Sequence, residues 1–223
     1  MAERATADDN RLRLVPDELS RKRLSRELDD WVVNSALYRQ RGWLLLDQDL
    51  DELTVDVGFL APVAFGDRAL DVMTACIRLR YDNYDVWPPS LRFIDPRTGT
   101  LTMPPVQAVD RVGPDSDEVR NALLGHPTEG VPFLCLPGIR EYHSHPQHSG
   151  DDWLLHRARG DGRLAVVCDR VWRRMARNVL GIQVTLASVR GLGTQLNLAL
   201  AQGDADLIVE VPAAEQAIVG MPT

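Results

Sequence analysis

Four of the chain's five histidines, His143, His145, His148 and His156, fall within fourteen consecutive residues. Core packing does not produce such crowding. The run Cys135-Leu-Pro-Gly-Ile-Arg-Glu141-Tyr-His143-Ser-His145-Pro-Gln-His148 carries one thiol, one carboxylate and three imidazoles on a single short loop. Cysteine sulfur, imidazole nitrogen and carboxylate oxygen are the ligand set of zinc, and thiolate with imidazole argues against magnesium or calcium. If Glu141–His145 runs extended, Glu141, His143 and His145 project to one side, because side chains alternate with period two. Pro137 and Gly138 allow a turn that returns Cys135 to that side, and Pro146 with Gly150 folds His148 back over it. The expectation is a zinc ion on Cys135, Glu141 and two of His143, His145 and His148. That is one donor more than a tetrahedral ion takes, so one histidine is expected to support a ligand, or the site is open.

Two other readings use the same residues. In one, the histidines satisfy buried backbone groups or pair with the cysteine and no metal is bound. In the other, Cys135 is a nucleophile, with a neighbouring histidine lowering its pKa or acting as its base. A thiolate saturated by zinc is a poor acyl acceptor, so the metal and thioester readings compete for one sulfur. An open zinc site would activate water or polarise a carbonyl, whereas a closed one would be structural and leave a zinc-stabilised docking module.

The elements that must position this loop follow from periodicity. Leu24, Leu28, Trp31, Ser35 and Tyr38 recur at steps of four and three, which predicts one helix from an N-cap at Asp17 to Arg41 and Gly42. Trp43–Leu46 and the alternating Leu53, Val55, Val57 and Phe59 predict strands, as does Met73–Tyr81, where Ile77, Leu79 and Tyr81 oppose Arg78 and Arg80. A turn is expected near Ala61–Arg68. Ten of the fourteen prolines lie between Pro88 and Pro146, so that stretch reads as ordered loop wrapped over the sheet, with a mobile segment around Asp110–Asp117. Leu164, Val167, Cys168, Val171, Met175 and Val179 form an apolar helical stripe capped at Asp161 and stopped by Gly181, with Arg170, Arg173, Arg174 and Arg177 on a solvated face. Strand-like runs follow at Ile182–Val189, Thr194–Ala201 and Asp206–Val211. The fold class is α+β: N-terminal helix, antiparallel meander, proline-rich loop region and C-terminal helix, with residues 1–15 a flexible arm, 16–223 one domain, and a β extension from about residue 181.

Composition bounds the partners. The 223 residues are 44% hydrophobic, enough to close a core without staples. The formal charge of −7 argues against nucleic acid, and no uncharged stretch approaches the ~18 residues of a membrane span. Three cysteines and a polar Met1–Asn10 predict a reducing, cytoplasmic setting, with Cys76 and Cys168 as small core residues and His126 on the surface. Of 25 basic residues only Lys22 is a lysine. Codon bias accounts for that, and avoidance of amine acceptors beside thioester chemistry is the functional alternative.

Cys135, Glu141, His143, His145 and His148, followed by Ser149-Gly150-Asp151-Asp152-Trp153-Leu-Leu-His156-Arg157, resemble the motif of the predicted metal-binding CEHH family. That family sits in bacterial gene neighbourhoods with ubiquitin-activating-like enzymes, JAMM-type isopeptidases and ubiquitin-like proteins. The resemblance implies a component of a bacterial ubiquitin-like modification pathway, with those proteins as partners. Tyr84-Asp-Val-Trp87-Pro88-Pro89-Ser90-Leu91-Arg92-Phe93 is similar to the tyrosine, double-proline and phenylalanine signature of ubiquitin-conjugating enzymes. In that alignment Cys135-Leu136 falls on the catalytic Cys-Leu pair, which implies a ubiquitin-conjugating-like layout with Cys135 as thioester carrier. The histidine-proline-asparagine element of those enzymes is absent, Phe93 to Cys135 is longer than usual, and the histidine loop intrudes before Trp153. His143-Ser144-His145-Pro146 also resembles the zinc motif of JAMM metalloproteases, but only three residues separate His145 from Ser149 where that family has a longer spacer, which would draw Asp152 away from a metal.

Overall fold

A computed structural model describes residues 13–65, 68–104, 106–107, 109–111, 119–121, 123–177, 179–187 and 193–200; for 64–65, 106–111, 119–121 and everything beyond 177 the description is of the backbone alone. The chain is α+β. Helices α1 (Asp17–Val33) and α2 (Ser35–Gln40) precede strands β1 (Trp43–Asp49), β2 (Thr54–Phe65), β3 (Arg68–Arg80) and β4 (Ser90–Phe93), which pair in sequence order as an antiparallel sheet. Short pieces β5 (Val106–Gln107), β6 (Val109–Arg111), β7 (Val119–Asn121), β8 (Leu123–Gly125) and β9 (Pro132–Leu134) lead to α3 (Arg140–His143), a 3₁₀ turn (Pro146–His148), α4 (Trp153–Arg157) and α5 (Leu164–Met175). Strands β10 (Val179–Ala187) and β11 (Gly193–Leu200) form a hairpin, with β5 added in parallel to β11.

Alternation governs the meander. Val55, Val57, Phe59, Ile77, Leu79, Leu91 and Phe93 are buried on the inner face, and Arg78 and Arg92 stand opposite one another on the outer face. On that face Arg78 forms a bidentate pair with its cross-strand neighbour Asp56. Helices α1, α2 and α5 cover the inner face through an aromatic cluster in which Trp43 meets Trp31, Tyr38, Phe59 and Trp172 at ring centroids of 5.0–6.3 Å. Burying apolar side chains of this size stabilises by roughly 1.5–3 kcal/mol apiece, which makes this layer the main source of stability.

Several expectations are corrected. The first helix breaks at Asn34, whose backbone leaves the helical region, and Pro16 rather than Asp17 caps it. Proline's fixed φ and missing N–H suit that entry, and Asp17 serves as an acidic first-turn residue. Gly42 ends α2 with φ +77°, and a Cβ there would strike the Leu60 carbonyl, so glycine is required. Strand β2 continues to Phe65, which pairs with Arg68 at the start of β3, so the expected turn narrows to the far end of Ala61–Arg68. Helix α5 begins at Leu164 behind an Arg163 cap and ends at Met175, about one turn before the expected stop, because Asp161 is engaged elsewhere and Ala176 leaves helical geometry. Residues 1–12, most of Asp110–Asp117 and the run at Asp206–Val211 lie outside the described residues.

Candidate functional site

Pro88 and Pro89 lead directly into β4, and β8–β9 form a small hairpin beside it that delivers Cys135 to the edge of the core. Three residues on, Gly138 adopts φ +101° against the Asp161 carbonyl, where a Cβ has no room. The chain then forms a helical turn, α3, where extended backbone was expected. In a helix, residues two apart point nearly opposite ways. Glu141 and His143 therefore diverge, and the same-side arrangement of Glu141, His143 and His145 does not form.

Glu141 is fully buried and faces β4. Its carboxylate accepts from Ser90 Oγ at 2.5 Å and from the Leu91 amide at 2.9 Å, and it pairs with the Arg92 guanidinium, which also holds Glu129. These donors occupy the lone pairs a metal would need. His143 is used at both ring nitrogens: Nδ1 donates to the Asp151 carbonyl at 2.9 Å and Nε2 accepts from the Gly138 amide at 3.4 Å. Burial lowers its pKa, in keeping with a neutral ring. His126, expected at the surface, is buried; its Nδ1 accepts from the Thr128 and Glu129 amides, so Nε2 donates to the Glu141 carbonyl. His156 lies between two carboxylates, Asp161 at Nδ1 and Asp151 at Nε2, both at 2.7 Å. Two carboxylate acceptors require both nitrogens to carry protons. Burial opposes that charge, yet the hydrogen bonds to Asp151 and Asp161 outweigh it and raise the pKa.

What remains is a pair. His148, folded back by the 3₁₀ turn, places Nε2 3.1 Å from Cys135 Sγ. Its ring stacks on Tyr142 at 4.0 Å and 17°. Burial is the chief cause of its lowered pKa, with repulsion from His145 adding to it, so the imidazole is neutral at physiological pH and available to take a proton. Cys135 is half-buried, whereas Cys76 and Cys168 lie in the interior, where burial pushes the Cys76 thiol up to about 12 and the Cys168 thiol higher still.

His145 lies beside this pair, its ring 5.4 Å from that of His148 and stacked on Phe133 at 5.3 Å. Its Nδ1 accepts from the Gln147 amide, which places the proton of the neutral ring on Nε2. As ligand through Nε2 it would have to give up that arrangement. Two ligands of one tetrahedral zinc lie ~3.5 Å apart when Zn–S is ~2.3 Å and Zn–N ~2.0 Å. Cys135 and His148 are near that separation, so these two fit a metal, while Glu141 and His143 face away from it. Among the described residues, no group of three or more histidine, cysteine, aspartate or glutamate side chains converges to hold a metal ion. Likewise, no helix among them is long and apolar enough to cross a membrane.

Sequence reasoning missed Tyr142, Asp151, Asp161 and Arg170 as parts of this region. Their partners lie up to 33 residues away in sequence, and no periodic pattern reports such pairs.

The family described as Y4jH-like matches this chain over residues 15–112 and 104–179. The "Uncharacterized protein y4jH" of Sinorhizobium fredii is 29% identical over 182 residues, which covers 72% of this chain and 83% of that protein.

Proposed function

The chain belongs to the Y4jH-like family, with a match that runs from α1 through the Cys135–His148 loop to α5, and we propose that this loop is a thiol centre that accepts an acyl group on Cys135. The observation that carries the reading is the 3.1 Å approach of His148 Nε2 to Cys135 Sγ, together with the commitment of the other histidines to protein partners. Neutral His148 takes the Cys135 proton as sulfur bonds to the acyl carbon of an incoming thioester. The donor's carbon–sulfur bond breaks, and the departing thiolate recovers the proton from His148. The acyl donor in this reading is the C-terminal thioester of a ubiquitin-like protein, presented by an activating-enzyme-like partner in a bacterial modification pathway. The double-proline entry to β4 and the Cys135-Leu136 pair after the meander support it by resemblance to ubiquitin-conjugating enzymes.

A second reading is favoured by the nearness of the His145 ring to His148. Cys135 and His148, with His145 after loss of its Gln147 hydrogen bond, would hold a zinc ion, which when bound supplies Lewis acidity. The CEHH resemblance supports this reading.

One preparation separates the two. The untagged protein is treated with S-phenyl thioacetate and the peptide holding Cys135 is weighed, while metal content is measured on the same sample. Acetylation at Cys135, abolished by Cys135→Ser and slowed about 100-fold by His148→Ala, is the expected result. About one zinc per chain with an unreactive thiol would replace the first reading by the second.

A further inference from the structure

The thiol mechanism leaves a chain of polar contacts behind His148 without a role. Tyr142 Oη donates to Asp151 Oδ2 at 2.7 Å, and Asp151 Oδ1 takes His156 Nε2 at 2.7 Å. His156 Nδ1 bonds Asp161 Oδ2, and Asp161 Oδ1 takes Arg170 Nη2, again at 2.7 Å each. The other Arg170 nitrogen donates to the carbonyl of Pro137, two residues beyond Cys135. The chain thus begins beneath the His148 ring and returns to the backbone that carries the sulfur. Its members come from α3, the loop before α4, α4, the loop before α5, and α5 itself.

We propose that this closed chain is a positioning device for the Cys135–His148 pair, with Tyr142 as the platform under the imidazole and Asp151 as the link that fixes the platform. The inference rests on the thiol reading of Cys135. His148 sits on a three-residue turn, where its side chain has alternative staggered rotamers. Stacking on Tyr142 selects the rotamer that aims Nε2 at sulfur. Tyr142 is itself pinned on two sides: the edge of His143 meets its ring at 5.0 Å and 81°, and its hydroxyl is held by Asp151. Asp151 uses one oxygen for Tyr142 and the other for His156, so rotation of the carboxylate breaks both contacts together. At the far end Arg170 clamps the Pro137 carbonyl, and the forced φ of Gly138 keeps that turn against Asp161. The distance between sulfur and base is therefore set from both sides by one connected set of side chains, none of which is required to touch a substrate.

The test is the rate at which iodoacetamide alkylates Cys135 at neutral pH, with the pH profile of that rate recorded in parallel. Cys76 and Cys168 are buried, and Cys135→Ser supplies the blank. Tyr142→Leu, which removes the platform, is expected to slow alkylation about 10-fold, below the ~100-fold that an ångström of misplacement costs a reacting pair. Tyr142→Phe keeps the ring and is expected to stay within about 3-fold of the parent, the rescue that a platform role requires. Asp151→Asn, which keeps the shape of the side chain but weakens the link between Tyr142 and His156, should fall between them. If His148→Ala slows the reaction while Tyr142→Leu and Asp151→Asn react like the parent, the positioning proposal is overturned and the thiol reading stands. If His148→Ala itself reacts like the parent, the thiol reading falls. Should Tyr142→Leu fail to fold, Asp151→Asn decides alone: an unchanged rate overturns the proposal.

Discussion

The meander and the loop from Cys135 to Asp161 are held together by different physics. On the sheet, apolar side chains from β2, β3 and β4 meet helices α1, α2 and α5, and the polar outer face contributes cross-strand pairs such as Arg78 with Asp56. The loop buries only a few apolar anchors, among them Leu136, Ile139 and Trp153, and between them order comes from side chains that satisfy backbone groups: His143 on Gly138 and Asp151, Arg170 on Pro137, Arg140 on Asp82 and Pro88. A sheet held by area tolerates the loss of one polar contact. A loop held by directed bonds does not, and directed bonds can fix a base against a thiol.

The largest expected effect is therefore in the sheet and is volumetric. Phe59 is fully buried at the centre of the aromatic layer, so Phe59→Ala should destabilise by about 3–5 kcal/mol in urea unfolding. Next comes the buried charge that loop and sheet share at Glu141. Glu141→Leu leaves Ser90 Oγ and the Leu91 amide without their acceptor and Arg92 with Glu129 and the Leu91 carbonyl, at a cost of about 2–3 kcal/mol. A loss below ~0.5 kcal/mol would mean that the loop does not depend on β4, and the contrast between the regions would be wrong.

Arg170→Met sharpens the loop side. It removes the donor to Pro137 and the partner of the buried Asp161, but the guanidinium it deletes is itself partly exposed, so about 1–2 kcal/mol is expected, with slower Cys135 alkylation. A smaller and signed effect follows from the histidines. His156 is raised despite its burial by bonds to Asp151 and Asp161, so its contribution is full below the ordinary histidine value of ~6.5 and is lost as pH rises through its folded value. His143 and His148 are lowered, chiefly by burial, so their contribution is present above ~6.5 and is lost as pH falls. Melting temperature should therefore peak near about pH 6.5. His156→Gln should remove the decline on the alkaline side and leave the acid one.

The sheet was legible because burial imposes a period on sequence: Val55, Val57, Phe59, Ile77 and Leu79 announce which face is inside before any pairing is known. The candidate site was legible by residue type at Cys135 and His148 and misread in its geometry. Glu141 and His143 were expected to share a side on an extended segment, and one helical turn separates them. Four residues, Arg140–His143, are too few for a 3.6-residue period to show, so local pattern could not choose between the two conformations. Arg170 reads as part of a solvated face because, with Arg173, Arg174 and Arg177, it falls off the apolar stripe, and its partners Pro137 and Asp161 carry no sign in sequence that an arginine is aimed at them.

Arg173 is the control for that last point and carries the smallest effect. It lies three residues from Arg170 on the same helix, but its guanidinium reaches only Asp169, one turn back, at 2.6 Å, and its side chain is 55% exposed. The acid precedes the base by four residues, the orientation that suits the helix dipole, and such exposed pairs stabilise by about 0.2–0.5 kcal/mol. Asp169 also keeps Arg41 as a partner when Arg173 is removed, and alanine is as good a helix former as arginine. Arg173→Ala should therefore shift stability by less than about 0.5 kcal/mol, and the shift should vanish in molar salt as the pair is screened. Cys135 alkylation should be unchanged, because nothing in the contacts of Arg173 leads to the loop. A cost equal to that of Arg170→Met would mean that the helix, and not its bonds to Pro137 and Asp161, is what both arginines support.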